Sequence, residues 1–332
     1  MFGRISYRFN DVYLEESHTL VGDMEAKGAL GSYFDAAFSD PYFGQKSWEQ
    51  AEIAMNESNI NGLFGKVNIS ADEVDVAFGG DLVNQLVASN YAMRSFDIPF
   101  FGVYSACASA VEASILASIF LEGKFAKRAL AFASSHTNMA EKQFRMPVEY
   151  GGAKGDTAQY TATGAGAALF SVKNSKIKVE SATLGCVVDA MQNDPANMGA
   201  AMAPAAANTI LRHFGDLGID ASYYDLILTG DLSNVGCPIL LDLLKQAGHD
   251  ITSIHDDCGK LLYNDDQPTF SGASGAGCVS IVMFSYVTKL LKQGKIKNAL
   301  IVGTGALLNA LIVSQKETIP CVAHAIALSN VN

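Results

Sequence analysis

Apolar and polar positions follow one another along this chain in blocks that predict alternating strands and helices. Short runs made almost entirely of apolar residues predict strands that are covered on both faces. These runs fall at 74–79, 128–134, 224–229 and 298–303. Longer segments between them predict helices, at 51–64, 83–95, 201–214 and 234–247. This order is typical of an α/β protein whose parallel sheets are covered by helices on both sides.

The block pattern occurs twice. Residues 51–84 align without a gap with residues 201–234, and 11 of the 34 positions are identical, where chance would give roughly two. The run SACASAVEASILASIFLEGK also matches AGCVSIVMFSYVTKLLKQGK, which places Cys107 over Cys278. We therefore predict two halves, 1–174 and 175–332, stacked as α/β/α/β/α layers with two mixed, mostly parallel sheets. Segment 137–160 has no twin in the second half and is interpreted as an insertion.

Composition narrows the classes of function. The chain has 23 Lys and Arg against 34 Asp and Glu, a formal net charge of −11. This balance argues against nucleic-acid binding and against electrostatic docking on an anionic membrane. An anionic ligand would need a local positive pocket. The N-terminus lacks an apolar signal core, and the apolar run 299–313 is too short to span a bilayer, so we expect no signal peptide or transmembrane segment.

The six cysteines are scattered without CxxC spacing, which predicts a reducing compartment with neither a disulfide framework nor a zinc site. One of them stands out. A strand near 99–104 leads through a turn of small residues to Cys107, where a helix begins. A helix N-terminus favours a thiolate, so this position is suited to a nucleophile.

The chain resembles the thiolase and ketoacyl synthase fold in three features. These are the duplicated half with a cysteine at a helix start, the run SGASGAG at 271–277 and the run TGAGAALFS at 163–171. That resemblance implies a pocket at the carboxyl ends of the strands, where catalysis needs a histidine and a further histidine or asparagine. Thr269 stands where the thiolase histidine would be, and no asparagine lies between Thr269 and Cys278. Asp231 occupies the other position, where a carboxylate would repel an oxyanion. We therefore expect a protein that is not an enzyme.

Longer runs narrow the resemblance further. Residues 134–167, 226–245, 255–259 and 305–328 resemble the stage V sporulation protein AD family. The resemblance implies a homodimer that binds dipicolinic acid (pyridine-2,6-dicarboxylate) and helps to move it into the developing spore with membrane proteins of the same operon. It implies a place in the developing spore, soluble or peripheral on the spore inner membrane. It implies no cofactor, with calcium beside the dipicolinate left open.

Two other functions are weighed against this one. The first is an acyl-transfer or condensing enzyme that uses Cys107 with His255 or His136 as an unusual base. The second is a structural scaffold with a vestigial pocket. Acylation of Cys107 would support the enzyme, and unchanged partner binding after pocket mutation would support the scaffold.

The candidate ligand residues follow from this pocket. Cys107 would form its floor, although a small buried residue packed between the halves is the alternative. Ser274 in the Gly-rich loop would supply a hydroxyl. Asp81 and Asp231 follow equivalent strands and would either cap the next helix or serve the ligand, by binding calcium or orienting His136.

The other candidates lie in loops. His136 follows a strand end and would be either a pocket donor or a loop histidine satisfied by backbone. Arg145, Lys142 and Lys154 lie in the insertion and would bring cations to carboxylates, with dimer contact or solvation as the alternatives. The run HDDCG at 255–259 reads as a turn near the pocket, because adjacent side chains of an extended segment cannot converge on one metal ion.

Overall fold

The computed structural model describes residues 5–145 and 153–331, and its elements alternate as predicted. The strands are β1 Ser6–Arg8, β2 Tyr13–Val21, β3 Ala36–Ala37, β4 Val76–Gly80, β5 Phe100–Gly102, β6 Arg128–Ser135, β7 Tyr160–Thr161, β8 Gly164–Ser171, β9 Ile177–Thr183, β10 Leu226–Thr229, β11 His255–Asp257, β12 Ala273–Ser274, β13 Asn298–Ala306 and β14 Cys321–Asn330. The α-helices are α1 Asp23–Ala26, α2 Trp48–Val67, α3 Val87–Met93, α4 Ser109–Glu122, α5 Thr137–Phe144, α6 Met198–Leu217, α7 Ser233–Gln246, α8 Cys258–Leu261, α9 Ala276–Val282, α10 Thr288–Lys292 and α11 Ala310–Ser314. Short 3-10 turns lie at Gly31–Tyr33, Ala71–Glu73, Asn84–Leu86, Ala106–Ala108 and Ala221–Tyr223, and a π-helical turn lies at Met283–Val287.

The main sheet runs in the order β5-β4-β6-β8-β2-β9-β14-β13-β10-β11. Each half contributes five strands with the same pairings, two parallel at the outer end and two antiparallel nearer the middle. The halves join where Tyr13 pairs with Lys178 and Leu14 with Ile177. The mixed α/β class is confirmed. The two predicted sheets are hydrogen-bonded into one, and along the ten-strand order the parallel pairings join β5, β4 and β6 in the first half and β11, β10 and β13 in the second.

Helix α4 lies at the centre of the layers, because it contacts β4 and β6 of the first half and β13 and β14 of the second. Small alanines and serines let both sides approach it closely, and a helix that is buried all round needs little amphipathicity. The hydroxyls of Ser114 and Ser118 donate to carbonyl oxygens one turn earlier, at 2.7 and 2.8 Å, so they are satisfied inside the core. Helix α2 covers one outer face and α6 the other, which completes the α/β/α/β/α layers.

The first half departs from the predicted helix at 83–95, which is a 3-10 turn followed by the short α3. Gln85 and Leu86 both have positive φ values, 55° and 53°, which interrupt the helix. The carboxylate of Asp81 accepts hydrogen bonds from the backbone N–H and the hydroxyl of Ser89, at 2.7 and 2.6 Å, and so ties the strand end to α3. The equivalent segment of the second half forms the continuous helix α7.

Candidate functional site

A cavity of about 220 Å³ lies between the Cys107 turn, helix α5, the segment 153–161 and the ends of β12 and β13. Pockets for drug-sized ligands span about 300–1,000 Å³, so this cavity suits a smaller molecule. The described residues that line it are Leu82, Tyr104, Ala106, Cys107, Ala140, Glu141, Phe144, Arg145, Ala153, Lys154, Gly155, Ala158, Gln159, Thr161, Pro195, Ala196, Met198, Ser274, Ala306 and Leu308. Predicted residues Cys107, Ser274, Arg145 and Lys154 are therefore brought together here.

Cys107 lies at the floor of the cavity, in the 3-10 turn that precedes α4, and is only 5% exposed. The turn requires a left-handed φ of 52° at Ala106. It also requires strand β13 to pass very close, because a Cβ on Gly305 would lie 2.0 Å from the carbonyl oxygen of Ser105. Glycine at position 305 thus allows the second half to pack against the turn that holds Cys107.

The surroundings of Cys107 keep its thiol protonated. Burial raises the pKa of the Cys107 thiol well above its usual range, and the nearby carboxylate of Asp231 raises it further. The Cys107 Sγ lies 3.6 Å from the Ser274 Oγ, whose hydroxyl donates to Asp231 Oδ2 at 2.8 Å. A helix N-terminus favours a thiolate, but burial beside a carboxylate outweighs it here. The structure therefore presents a neutral thiol at this position and not an activated nucleophile.

Asp231 lies behind the floor, fully buried, and does not line the cavity. Its Oδ1 accepts a hydrogen bond from the Thr304 Oγ1 at 2.7 Å, and its Oδ2 also accepts from the Gly275 N–H at 3.2 Å. Burial raises the pKa of Asp231. Its bonds connect β10 to β12 and β13, so its visible role is to hold the floor of the cavity together.

The predicted helix cap at Asp231 is provided by another residue. The backbone N–H groups of Leu232 and Ser233, where α7 begins, both donate to Asp257 at 2.9 Å. Asp257 comes from β11, where it is paired in register with Thr229 of β10. This pairing brings its carboxylate to the start of α7, and Asp231 turns toward the neighbouring strands.

Two of the predicted cations, Arg145 and Lys154, line one wall of the cavity. Both contact one carboxylate: Lys154 Nζ lies 2.5 Å from Glu141 Oε1, and Arg145 Nη1 lies 2.8 Å from Glu141 Oε2. The third, Lys142, pairs with Glu49 and does not line the cavity. The two cations are donors of the kind that a carboxylate ligand would need on so acidic a chain, and Glu141 already holds both of them.

His136 and Asp81 are buried, but neither lines the cavity. The His136 Nε2 lies 2.8 Å from the carbonyl oxygen of Pro41, which can only accept, so Nε2 carries the hydrogen. Burial lowers the pKa of His136, which favours the neutral ring. His136 thus matches the alternative of a loop histidine bonded to backbone through Nε2, while its buried Nδ1 has no hydrogen-bond partner in the described part of the chain. Asp81 matches the capping alternative through Ser89. The structure does not bring these two predicted ligand residues to the cavity.

Gln159 is a cavity residue that the sequence patterns did not single out. Its Nε2 donates to the carbonyl oxygen of Asp231 at 2.5 Å and to the Ser233 Oγ at 2.8 Å, which fixes the orientation of the amide. The Gln159 Oε1 is buried and has no hydrogen-bond partner in the described part of the chain. A buried, unpaired acceptor is costly, so this oxygen is available to a donor group of a ligand.

No histidine or asparagine is among the described residues that line the cavity. His255, one of the bases considered for acyl transfer, has its Nε2 3.0 Å from the Thr229 Oγ1 and lies elsewhere. Thr269 also lies outside the cavity lining. The run 255–259 forms β11 and the start of α8, and within residues 5–145 and 153–331 no three His, Cys, Asp or Glu side chains are placed to hold a metal ion.

Comparison with solved structures places the fold in the thiolase-like class. The crystal structure of 3-oxoacyl-[acyl-carrier-protein] synthase III from Aquifex aeolicus matches with a TM-score of 0.58 at 13% identity, over 96% of this chain and 99% of that chain. A variant of OleA from Xanthomonas campestris matches with a TM-score of 0.58 at 15% identity, over 96% and 99% of the two chains. Identities this low show a shared fold alone.

Comparison of sequences identifies the family. The model for Stage V sporulation protein AD (SpoVAD) matches residues 4–329. Stage V sporulation protein AD of Bacillus subtilis (strain 168) is 47% identical over 315 residues, which are 95% of this chain and 93% of that protein. The chain therefore belongs to the SpoVAD family of sporulation proteins. Within the described residues, no helix combines the length and apolar character needed to cross a membrane.

Proposed function

We propose that this chain is a non-catalytic binding protein for dipicolinic acid that supports its uptake into the developing spore. The observation that carries the proposal is the composition of the cavity. Two cations stand on its wall and a neutral thiol on its floor, while no histidine or asparagine lines it in the described residues. Such a site favours binding of a small anion over condensation of thioesters, because the described lining offers neither the histidine nor the asparagine side chain that would stabilise an oxyanion.

In this proposal one carboxylate of dipicolinate contacts Arg145 and Lys154, whose donors suit a carboxylate. The flat ring packs against the apolar wall, to which Leu82 and Phe144 contribute. The far side of the ligand approaches the floor at Cys107. The Cys107 thiol and the Ser274 hydroxyl at the floor are neutral, so neither places a negative charge beside the anionic ligand.

The wider setting extends the same proposal. The protein would act in the developing spore, soluble or peripheral on the spore inner membrane, and would pass the ligand to membrane proteins of the same operon. It would need no cofactor, and calcium would enter only with the dipicolinate. A homodimer would form, as the resemblance to the thiolase fold implies.

Isothermal titration with dipicolinate, with and without calcium, tests this function. We expect saturable binding at one site per chain, weakened about 10- to 100-fold by Arg145→Gln or Lys154→Gln, because each removes a charge-assisted hydrogen bond. Lys142→Gln is the matched control, since Lys142 lies near these residues and loses the same charge but does not line the cavity. Absence of binding at millimolar ligand, or equal loss in all three variants, would reject the site.

The position of Cys107 on a thiolase-like fold keeps acyl transfer as a second candidate. Incubation with acyl-CoA followed by intact-mass measurement separates the two functions. A stable acyl group on Cys107 that Cys107→Ala abolishes would favour the enzyme, whereas we expect no mass change.

A further inference from the structure

Both cations on the cavity wall are already held by a carboxylate of the protein. Glu141 lines the same cavity and places one oxygen 2.5 Å from the Lys154 Nζ and the other 2.8 Å from the Arg145 Nη1. A carboxylate with one oxygen on each cation has the arrangement that a bound carboxylate ligand would need. The ligand and Glu141 therefore compete for the same donors.

The ammonium group of Lys154 is largely buried, so it needs a negative partner whether or not a ligand is bound. Its side chain is only 13% exposed and lies against two aromatic rings, with Nζ 5.4 Å from the Tyr160 ring centroid and 5.7 Å from that of Phe270. A largely buried charge that loses its partner is strongly destabilising. Either Glu141 or the carboxylate of a ligand must therefore stand beside Lys154.

Glu141 has more contact with solvent than the lysine it pairs with. Its side chain is 26% exposed, twice the fraction of Lys154, and it lies on the last two turns of the short helix α5. A rotation of its side chain toward solvent would hydrate the carboxylate and withdraw its oxygens from the Lys154 Nζ and the Arg145 Nη1. Lys154, packed between two rings, has no comparable freedom.

We infer that Glu141 is an internal occupant of the carboxylate subsite, formed by Arg145 and Lys154, and that a ligand carboxylate binds by displacing it. The inference rests on the proposed function, since it assigns the regulation of the same cavity. Displacement lowers the affinity below what the two cations alone would give. It also lets Glu141 return as the ligand leaves, so that Lys154 is never left unpaired, which favours release to a partner.

Glu141→Gln tests the inference, with Glu49→Gln as the matched control. Glu49 pairs with Lys142, which lies next to Glu141 on α5, but neither member of that pair lines the cavity. Both substitutions change the net charge equally, so a general electrostatic effect would act on both. Both variants and the unchanged protein are titrated with dipicolinate and with benzoate. Thermal unfolding checks that each variant is folded.

We expect Glu141→Gln to bind dipicolinate about three- to tenfold more tightly than the unchanged protein, as for loss of a competing, partly exposed ion pair. Glu49→Gln should bind like the unchanged protein. If Glu141→Gln binds dipicolinate and the other two proteins do not, the inference is supported in a stronger form, in which Glu141 keeps the ligand out of the subsite. Unchanged or weaker binding by Glu141→Gln, with binding by the unchanged protein intact, would show that Glu141 positions the cations, and would overturn the inference but not the function. No binding of either ligand by any of the three proteins would overturn both.

Discussion

The rate at which Cys107 is alkylated tests whether this thiol is an activated nucleophile. The floor of the cavity buries this thiol beside Asp231, and both effects raise its pKa. An alkylating reagent reacts with the thiolate, so the rate at a given pH follows the thiolate fraction and the access to the sulfur. Cys186 is an exposed free thiol in the same molecule and serves as an internal reference.

The size of the effect follows from the pKa. A thiol whose pKa exceeds about 9 is less than about 1% thiolate at pH 7, whereas a catalytic cysteine with a pKa near 6 is about 90% thiolate. The two cases differ by about a hundredfold in rate before access is considered. Cys107 is only 5% exposed, and burial slows the reaction further.

The assay follows iodoacetamide labelling of the folded protein between about pH 6 and pH 10 by peptide mass spectrometry. We expect Cys107 to react far more slowly than Cys186 across this range. Asp231→Asn should speed the labelling of Cys107, because removal of the negative charge lowers the thiol pKa, and thermal unfolding checks that this variant is folded. Labelling of Cys107 faster than Cys186 at neutral pH would refute the reasoning and revive the acyl-transfer candidate.

Two further predictions concern stability. Burial and the neighbouring Asp81 raise the pKa of Glu52, so its contribution to stability is complete below the unfolded-state pKa and is lost as the pH rises through the folded-state pKa. Urea unfolding at about pH 5 and about pH 9 should therefore show a smaller loss for Glu52→Gln than for the unchanged protein, and an equal or larger loss would contradict this. Gly305→Ala should cost about 1–3 kcal/mol or more, because its Cβ would lie 2.0 Å from a backbone oxygen. Gly215→Ala, in α6 with open space around the new methyl group, should instead stabilise by about 0.5–1 kcal/mol, and similar urea midpoints for the two variants would refute the packing argument.

The duplicated apolar runs predicted the parallel strands well because burial on both faces leaves a nearly continuous signal. The predicted strands 128–134 and 298–303 correspond to β6 and β13, which occupy equivalent places in the two halves of the sheet. The Cys107 turn was predicted because small residues between an apolar strand and a helix permit the tight turn that joins them. The duplication then gave the layers that the periodicity of a single segment does not give.

The direction of a polar side chain after a strand was much harder to predict. Asp231 stands directly before a helix, which predicts a cap, yet Asp257 caps that helix from a strand 26 positions later. The register between β10 and β11 decides this outcome, and no local pattern encodes it. His136 was ambiguous for the same reason, because its ring could turn toward the cavity or toward the backbone at Pro41.

The cavity wall was predicted only in part, because its residues lie in the insertion and have no repeat to guide the alignment. Arg145 and Lys154 were predicted as cavity residues, whereas Glu141 and Gln159 of the same segment were not. In the sequence, Glu141 stands among lysines and arginines, a pattern that usually indicates a solvated charge. Only the structure shows that Glu141 lines the cavity together with Arg145 and Lys154 and contacts both of them.

The two halves place their repeated cysteines in different surroundings. Cys107 and its repeat partner Cys278 occupy equivalent helix starts, yet only Cys107 lines the cavity, and Cys278 is fully buried. The difference between the halves is the insertion, which adds a charged wall above the first helix start. That wall does not depend on a thiolate or on a histidine. In the proposed function, binding should therefore tolerate Cys107→Ala better than the loss of Arg145 or Lys154, since the wall supplies cations to one carboxylate of the ligand and the Cys107 thiol supplies no charge.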